Sequence, residues 1–254
     1  MASTDTTLIS ISDLMKPGHT AVVTGASSGI GKAASLTFAK AGMNVWMLDL
    51  DGPELLAAQK FVKQQVADKD TTTEQLILAE KVNVADPQAL QLVADQVFSA
   101  AGEAPSHCHI LMNNAGITGQ GGVPGCPGGP SDMAPVHATM NVNLYGPVHG
   151  VQAFLPRMQA SQQPGIIINT GSKQGITMPP GNLTYNMSKA ALKCFTEGLE
   201  HELMKDRVQK GGKLRAALLV PGWVNTSILL KTVRAQKGDD FDETKHVFFS
   251  EAKP

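Results

Sequence analysis

Residues 20–31 read TAVVTGASSGIG, from Thr20 to Gly31, and the fold turns on how this stretch is read. Thr20 to Thr24 form a short apolar run rich in β-branched residues, the pattern of a buried strand. Gly25, Gly29 and Gly31 follow at once and open a stretch, Gly31 to Ala41, with apolar positions at helical spacing. Glycines in such a turn let backbone N–H groups approach a pyrophosphate at a helix N-terminus, where the dipole favours negative charge. An ordinary strand-to-helix turn would use the same residues. The strand before and the helix after satisfy the context that a nucleotide-binding loop requires.

Working outward, the same alternation repeats along the chain. Apolar runs at 45–48, 76–82, 109–113, 165–170 and 214–220 are separated by helical segments at 54–67, 87–101, 136–158 and 185–207. Strand and helix in regular alternation predict a parallel sheet. Right-handed crossovers then place helices on both faces, a doubly wound α/β arrangement whose ligands bind at the carboxyl ends of the strands. Asp49 closes the second strand about 20 residues past the glycines, where a carboxylate can accept hydrogen bonds from a ribose 2′-hydroxyl and would repel a 2′-phosphate. Neither Ser28 nor Leu50 supplies a cation to relieve that repulsion, so NAD is expected in preference to NADP. Asp51 is the alternative ribose partner, and Asp49 as a helix or loop cap is the plainer reading. Gly119 to Pro130, dense in Gly and Pro, reads as a mobile loop. It is either a surface insertion or a border of the cleft.

Composition narrows the classes. The chain has 254 residues, 42% hydrophobic and 17% charged, enough for one sizeable core without an interior linker or repeat. Its 21 Lys plus Arg stand against 22 Asp plus Glu, with no basic stripe to follow a phosphate backbone, so nucleic acid is not an expected partner. No leader-type segment or membrane-length apolar run is present, and a cytoplasmic location is the default. Cys108, Cys126 and Cys194 are widely spaced and odd in number, which favours reduced thiols and no metal.

The stretch TYNMSKAAL, Thr184 to Leu192, sets a phenol and an ammonium four residues apart. On a helix Tyr185 and Lys189 share a face, and a nearby cation lowers a phenol's pKa. Bringing it down by roughly three units needs about 4 kcal/mol, more than a solvated Lys supplies, so a second positive charge and partial desolvation are required. A solvated helix face would carry the same pair.

Taken together, TGASSGIG at 24–31, NNAG at 113–116, VNLYG at 142–146, Ser172 ahead of YNMSK at 185–189, and PGWVNT at 221–226 resemble the short-chain dehydrogenase/reductase family in order and spacing. The resemblance covers about Lys16 to Thr226. It implies a Rossmann-like single domain over 1–254, with an N-terminal extension at 1–17 and a substrate loop and short tail at 227–254. It further implies an NAD-dependent oxidoreductase acting on a small secondary alcohol or ketone.

By that resemblance Tyr185 is the general acid/base. Lys189 holds the nicotinamide ribose and, with the oxidised ring, lowers the Tyr185 pKa, which supplies the second positive charge. Ser172 hydrogen-bonds the substrate oxygen, and Asn143 holds a water on a proton relay. Gly25, Ser28, Gly29, Ile30 and Gly31 cradle the phosphates. Asn114, Ala115 and Gly116 line the ribose, Pro221 and Gly222 form a turn, and Val224 and Thr226 reach the carboxamide and phosphates. Asn83 stands where the family has Asp facing adenine, and Lys173, beside Ser172, is expected to face solvent. Met178, Trp223, Ile228, Leu229 and Leu230 are candidate walls for an apolar substrate. Family members continue into another helix and a seventh strand, neither recognisable before Pro254, so the sheet edge is expected to be open or covered differently. A homodimer or homotetramer is the assembly open to it. Two other readings share the fold: a non-catalytic nucleotide-binding regulatory or scaffold protein, and an NADP reductase.

Overall fold

The apolar runs form strands that pair side by side in a parallel sheet. They are β1 (Thr20–Thr24), β2 (Asn44–Asp49), β3 (Ile77–Lys81), β4 (Ile110–Asn113), β5 (Gly165–Thr170) and β6 (Leu214–Leu219). The computed structural model describes residues 10–67, 75–99, 107–119, 122–127, 129 and 131–222. The sheet has six strands in the order β3-β2-β1-β4-β5-β6, every pairing parallel. The order reverses between β1 and β4, and this crevice is where a doubly wound sheet receives its ligand.

The connecting helices are α1 (Ile11–Leu14), α2 (Gly29–Lys40), α3 (Gly52–Val66), α4 (Pro87–Phe98), α5 (Ala134–Met140), α6 (Gly146–Ala160), α7 (Gln174–Thr177) and α8 (Leu183–Lys210). Chemistry at their ends sets several bounds. Asp51 and Asp86 accept backbone N–H groups in the first turns of α3 and α4, each with Pro near the start, and α8 stops at Gly211 with φ +71°.

Strand alternation sorts the core into two layers. Val22, Leu48, Leu111 and Ile167 pack with Leu90 of α4 and Phe154 of α6. Their neighbours Ala21, Val23, Val45, Met47, Ile110 and Met112 pack on the other face with Phe38 of α2 and Leu55 of α3. A period-2 strand that is apolar on both faces therefore buries both, as a parallel sheet demands.

The structure departs from the expected elements at one helix and in two short additional ones. The segment expected as one helix over 136–158 is α5 and α6 joined by a π turn at Asn141–Tyr145, in which Gly146 N–H bonds back to Asn141 C=O. Neither α1, held by a capping box at Ser10, nor the single turn α7 was anticipated, because four residues carry too little periodicity. The substrate loop and tail expected at 227–254 lie outside the described residues, as do the sequence assignments to Trp223, Val224, Thr226, Ile228, Leu229 and Leu230. No described helix is long and apolar enough to cross a membrane.

At the amino ends of β1 and β4, His19 and His109 stack with ring centroids 3.8 Å apart, and Thr20 N–H donates to His109 Nδ1 at 3.1 Å. Burial, with His19 and His107 close by, lowers the His109 pKa from 6.5 to about 4. The folded state thus holds this imidazole neutral while the unfolded chain protonates it. The contribution to stability is full above pH 6.5 and is lost as pH falls toward 4. Urea unfolding across this range should show the midpoint falling with acid more steeply in the wild-type protein than in His109→Gln; identical slopes would contradict the assignment.

Candidate functional site

The glycine turn is built by close backbone approach. Gly25 sits at φ +66°, and a Cβ there would stand 2.8 Å from Ala115 Cα. At Gly31 it would stand 2.1 Å from the Gly25 carbonyl oxygen. Only hydrogen fits at either place. Asn114 fills the space thereby opened, its Nδ2 donating to the carbonyls of Thr24 (3.1 Å) and Gly25 (3.2 Å). Thr24 Oγ1 accepts the N–H groups of Asn114 and Ala115 in return. The end of β4 is thus stitched to the end of β1. Ser28, at the N-cap of α2, places no side-chain cap on the first turn, and no acidic side chain occupies that turn. An uncapped helix start behind a glycine turn is a cradle whose shape and donor set suit a pyrophosphate.

Asp49 ends β2 beside this turn. Its carboxylate accepts Ser27 N–H at 3.0 Å and Asp51 N–H at 3.3 Å. Asp51 itself caps α3 through Glu54 N–H at 3.2 Å, which leaves Asp49 as the carboxylate aligned with the glycines. Lys81 stands opposite Asp49 in the β2–β3 register and is exposed; no ion pair joins the two. The sequence reading missed this neighbour because only strand register reveals it. Asn83 lies past the end of β3, exposed, with its carbonyl oxygen accepting Ala85 N–H at 3.0 Å.

Ser172, Tyr185 and Lys189 come together across the crevice from the glycine turn. Ser172 follows β5, and Tyr185 and Lys189 stand one turn apart near the start of α8. Burial raises the Tyr185 pKa, and a hydrogen bond with Ser172 opposes the rise. Lys189 is 4% exposed, with its ammonium donating to Thr170 C=O at 2.8 Å and lying 5.7 Å from the Tyr185 ring centroid. Burial lowers its pKa to about 8. The protein's own groups therefore leave the phenol above its usual range, and a further positive charge is needed to bring it down.

Asn143 sits within the π turn, fully buried. Its Oδ1 accepts Ile117 N–H and its Nδ2 donates to Ile117 C=O, each at 2.8 Å, with a longer contact to Ser188 Oγ at 3.1 Å. The side chain mimics a strand neighbour for the loop after β4 and spends its polar atoms on protein partners. A relay water at this position would have to use the backbone.

Two structural supports were not found from sequence. Ser188 Oγ donates to Tyr185 C=O at 2.8 Å, and Gly175 of α7 lies against the Lys189 backbone. Ser188 lies inside the YNMSK stretch and Gly175 beside Ser172, yet what each supports shows only once the chain is folded. Lys173 is exposed, in line with its expected solvent-facing position, while its N–H donates to Pro221 C=O at 3.2 Å. Gly116 borders the gap between Asn143 and Lys189, and Gly222 is exposed. Among the described residues no group of three or more His, Cys, Asp or Glu side chains converges as metal ligands.

The fold and this constellation define a class, and comparison with known proteins agrees. The family model described as short chain dehydrogenase matches residues 19–237. A 1-deoxy-11-beta-hydroxypentalenate dehydrogenase of Streptomyces avermitilis is 34% identical over 209 residues, spanning 82% of this chain and 69% of that protein. A short-chain dehydrogenase/reductase from Burkholderia phymatum, solved in complex with NAD, is 30% identical with a TM-score of 0.72, covering 89% of this chain and 74% of that one. A metagenomic short-chain oxidoreductase solved with NADP is 27% identical, TM-score 0.68, covering 87% of this chain and 90% of that one. The chain belongs to the short-chain dehydrogenase/reductase family and is an oxidoreductase of that family, whose members bind nicotinamide cofactors.

Gly175 offers a direct test of the packing. A Cβ there would meet the Lys189 carbonyl carbon at 2.7 Å and its oxygen at 2.8 Å, both backbone atoms. Gly175→Ala should therefore cost about 1–3 kcal/mol, read as a fall of several degrees in Tm. An unchanged Tm would mean that α7 does not pin α8 in this way.

Proposed function

We propose that this protein is an NAD-dependent dehydrogenase/reductase that interconverts a secondary alcohol and its ketone, with Tyr185 as general acid/base. The observation that carries the reading is the convergence of Ser172, Tyr185 and buried Lys189 beside an uncapped glycine turn. A bound nicotinamide cofactor supplies or accepts the hydride. The glycine turn from Gly25 to Gly31 would hold its pyrophosphate, Asp49 the adenosine ribose, Asn114 to Gly116 the region of the second ribose, and Pro221 and Gly222 the far wall. Asn83 keeps acceptor capacity toward an adenine amino group, since an amide oxygen has two lone pairs.

In the oxidising direction Ser172 holds the substrate hydroxyl, and Tyr185 as phenolate takes its proton while the C–H bond is broken. In reduction Tyr185 returns a proton to the developing alkoxide, and Ser172 stabilises the charge on that oxygen. Lys189 keeps positive charge near the phenol, and its proton handling sets the alkaline limit, since its ordinary value is drawn down to about 8. Charge on Lys189 is present below that pH and lost above it. Ile117 and Met178, both partly exposed and flanking the catalytic segments in sequence, support an apolar substrate. An alcohol substrate also fits the hydroxypentalenate dehydrogenase relative.

A second reading, NADP, is favoured by one observation: Lys81 stands beside Asp49 in register and could meet a 2′-phosphate. Fluorescence titration with NADH and NADPH separates the two. NADH should bind more tightly, and Asp49→Ala should weaken NADH and strengthen NADPH; tighter NADPH binding that Lys81→Ala abolishes would establish the second reading. Tyr185→Phe should retain cofactor binding and lose about 10²–10⁴-fold in turnover of secondary alcohols. Saturable binding with no turnover of any alcohol by the wild-type protein would instead indicate a non-catalytic nucleotide-binding protein.

A further inference from the structure

Lys189 and the glycine turn are joined by one polar chain, and Thr170 is its middle link. The Thr170 carbonyl accepts the Lys189 ammonium at 2.8 Å, while its hydroxyl donates to Asn114 Oδ1 at 3.2 Å. Asn114 then passes through Nδ2 to the Thr24 and Gly25 carbonyls, at 3.1 and 3.2 Å, in the cofactor cradle itself. Thr170 is 6% exposed, at the last position of β5, so its hydroxyl has little access to solvent as an alternative partner. The hydroxyl satisfies an amide oxygen whose own NH2 is committed to the turn. It also ties to that turn the peptide whose carbonyl accepts the buried Lys189 ammonium.

We propose that Thr170 is a positioning residue that couples Lys189 to the cofactor-binding turn, holding both in register through its two oxygens. The inference rests on the functional reading above. Replacing the hydroxyl by a methyl group keeps the shape but leaves the half-buried Asn114 Oδ1 without its protein donor, and a partly desolvated acceptor without a partner is costly. A shift of Asn114 toward a new partner draws its Nδ2 away from the Thr24 and Gly25 carbonyls, which loosens the turn. The Thr170 peptide, still held by Gly171 N–H donating to Leu219 C=O at 2.8 Å, loses its tie to the glycine turn at the same time, and the carbonyl that stabilises the charged Lys189 is held less well. The groups surrounding that ammonium are Tyr185 of the same helix and the neutral Thr170, Gly116 and Asn143. Loss of the carbonyl therefore favours the neutral amine, and the Lys189 charge disappears at lower pH.

The test is NADH affinity of the full chain, measured by fluorescence titration from pH 6.5 to 9.5 for wild type, Thr170→Val and Thr170→Ser. Thr170→Val should bind about tenfold more weakly at neutral pH, with the alkaline loss of affinity displaced to lower pH. Thr170→Ser, which keeps the O–H and drops only the methyl, should restore both properties. A role confined to packing would lower Tm in both variants without moving either readout. Thr170→Val with wild-type affinity and pH dependence overturns the coupling, as does Thr170→Ser showing the full defect, a result that stands even where the Val variant does not fold. If the wild type binds neither NADH nor NADPH, the functional reading itself falls and takes this inference with it.

Discussion

An ammonium has been taken out of water at Lys189, and the local architecture is arranged around keeping it there. Burial lowers its pKa from 10.5 to about 8, a cost of about 3 kcal/mol to the charged form. The compensation is a backbone carbonyl, Thr170 C=O at 2.8 Å, which requires β5 to end where α8 begins its second turn. Helix α7, packed through Gly175 onto the Lys189 backbone, sets that distance from the other side. Stability is spent at this point, and the large apolar layers on both faces of the sheet supply it.

The second constraint is close approach. Gly25 and Gly31 bring backbone within distances that no side chain tolerates, so that Asn114 can hydrogen-bond into the turn and tie the adjacent ends of β1 and β4. The crevice at the order reversal of the sheet is therefore tied by hydrogen bonds on the side of the glycine turn. On the other side Asn143 holds the Ile117 peptide through both of its polar atoms, at the expense of regular α-helix around Asn141–Tyr145. A π turn at such a place is a local distortion retained because a buried amide needs the partners it brings.

The electrostatics suit the acid/base role proposed for Tyr185 only when a cofactor is considered. Tyr185 lies above its ordinary pKa in the protein alone, since burial outweighs the Ser172 hydrogen bond. A lone Lys one helical turn away is too weak to activate a phenol without a second positive charge, and the burial of both side chains leads to the same requirement. The geometry makes it sharper, because the Lys189 ammonium points to Thr170 C=O as well as toward the phenol.

Most of the architecture was legible in the chain before any coordinates. The β-branched runs, the helical periodicity between them and the glycine turn specify a doubly wound parallel sheet, since hydrophobic pattern and backbone freedom are local properties. The residues Ser172, Tyr185 and Lys189 were identifiable because their motif order resembles a known family. What only the tertiary structure decided are the partnerships: Thr170 with Asn114, Asn143 with Ile117, Gly175 with Lys189, and Lys81 beside Asp49. Each joins different elements, through a side-chain hydrogen bond, backbone atoms, register or a missing Cβ, and none of these leaves a periodic trace in the residue types.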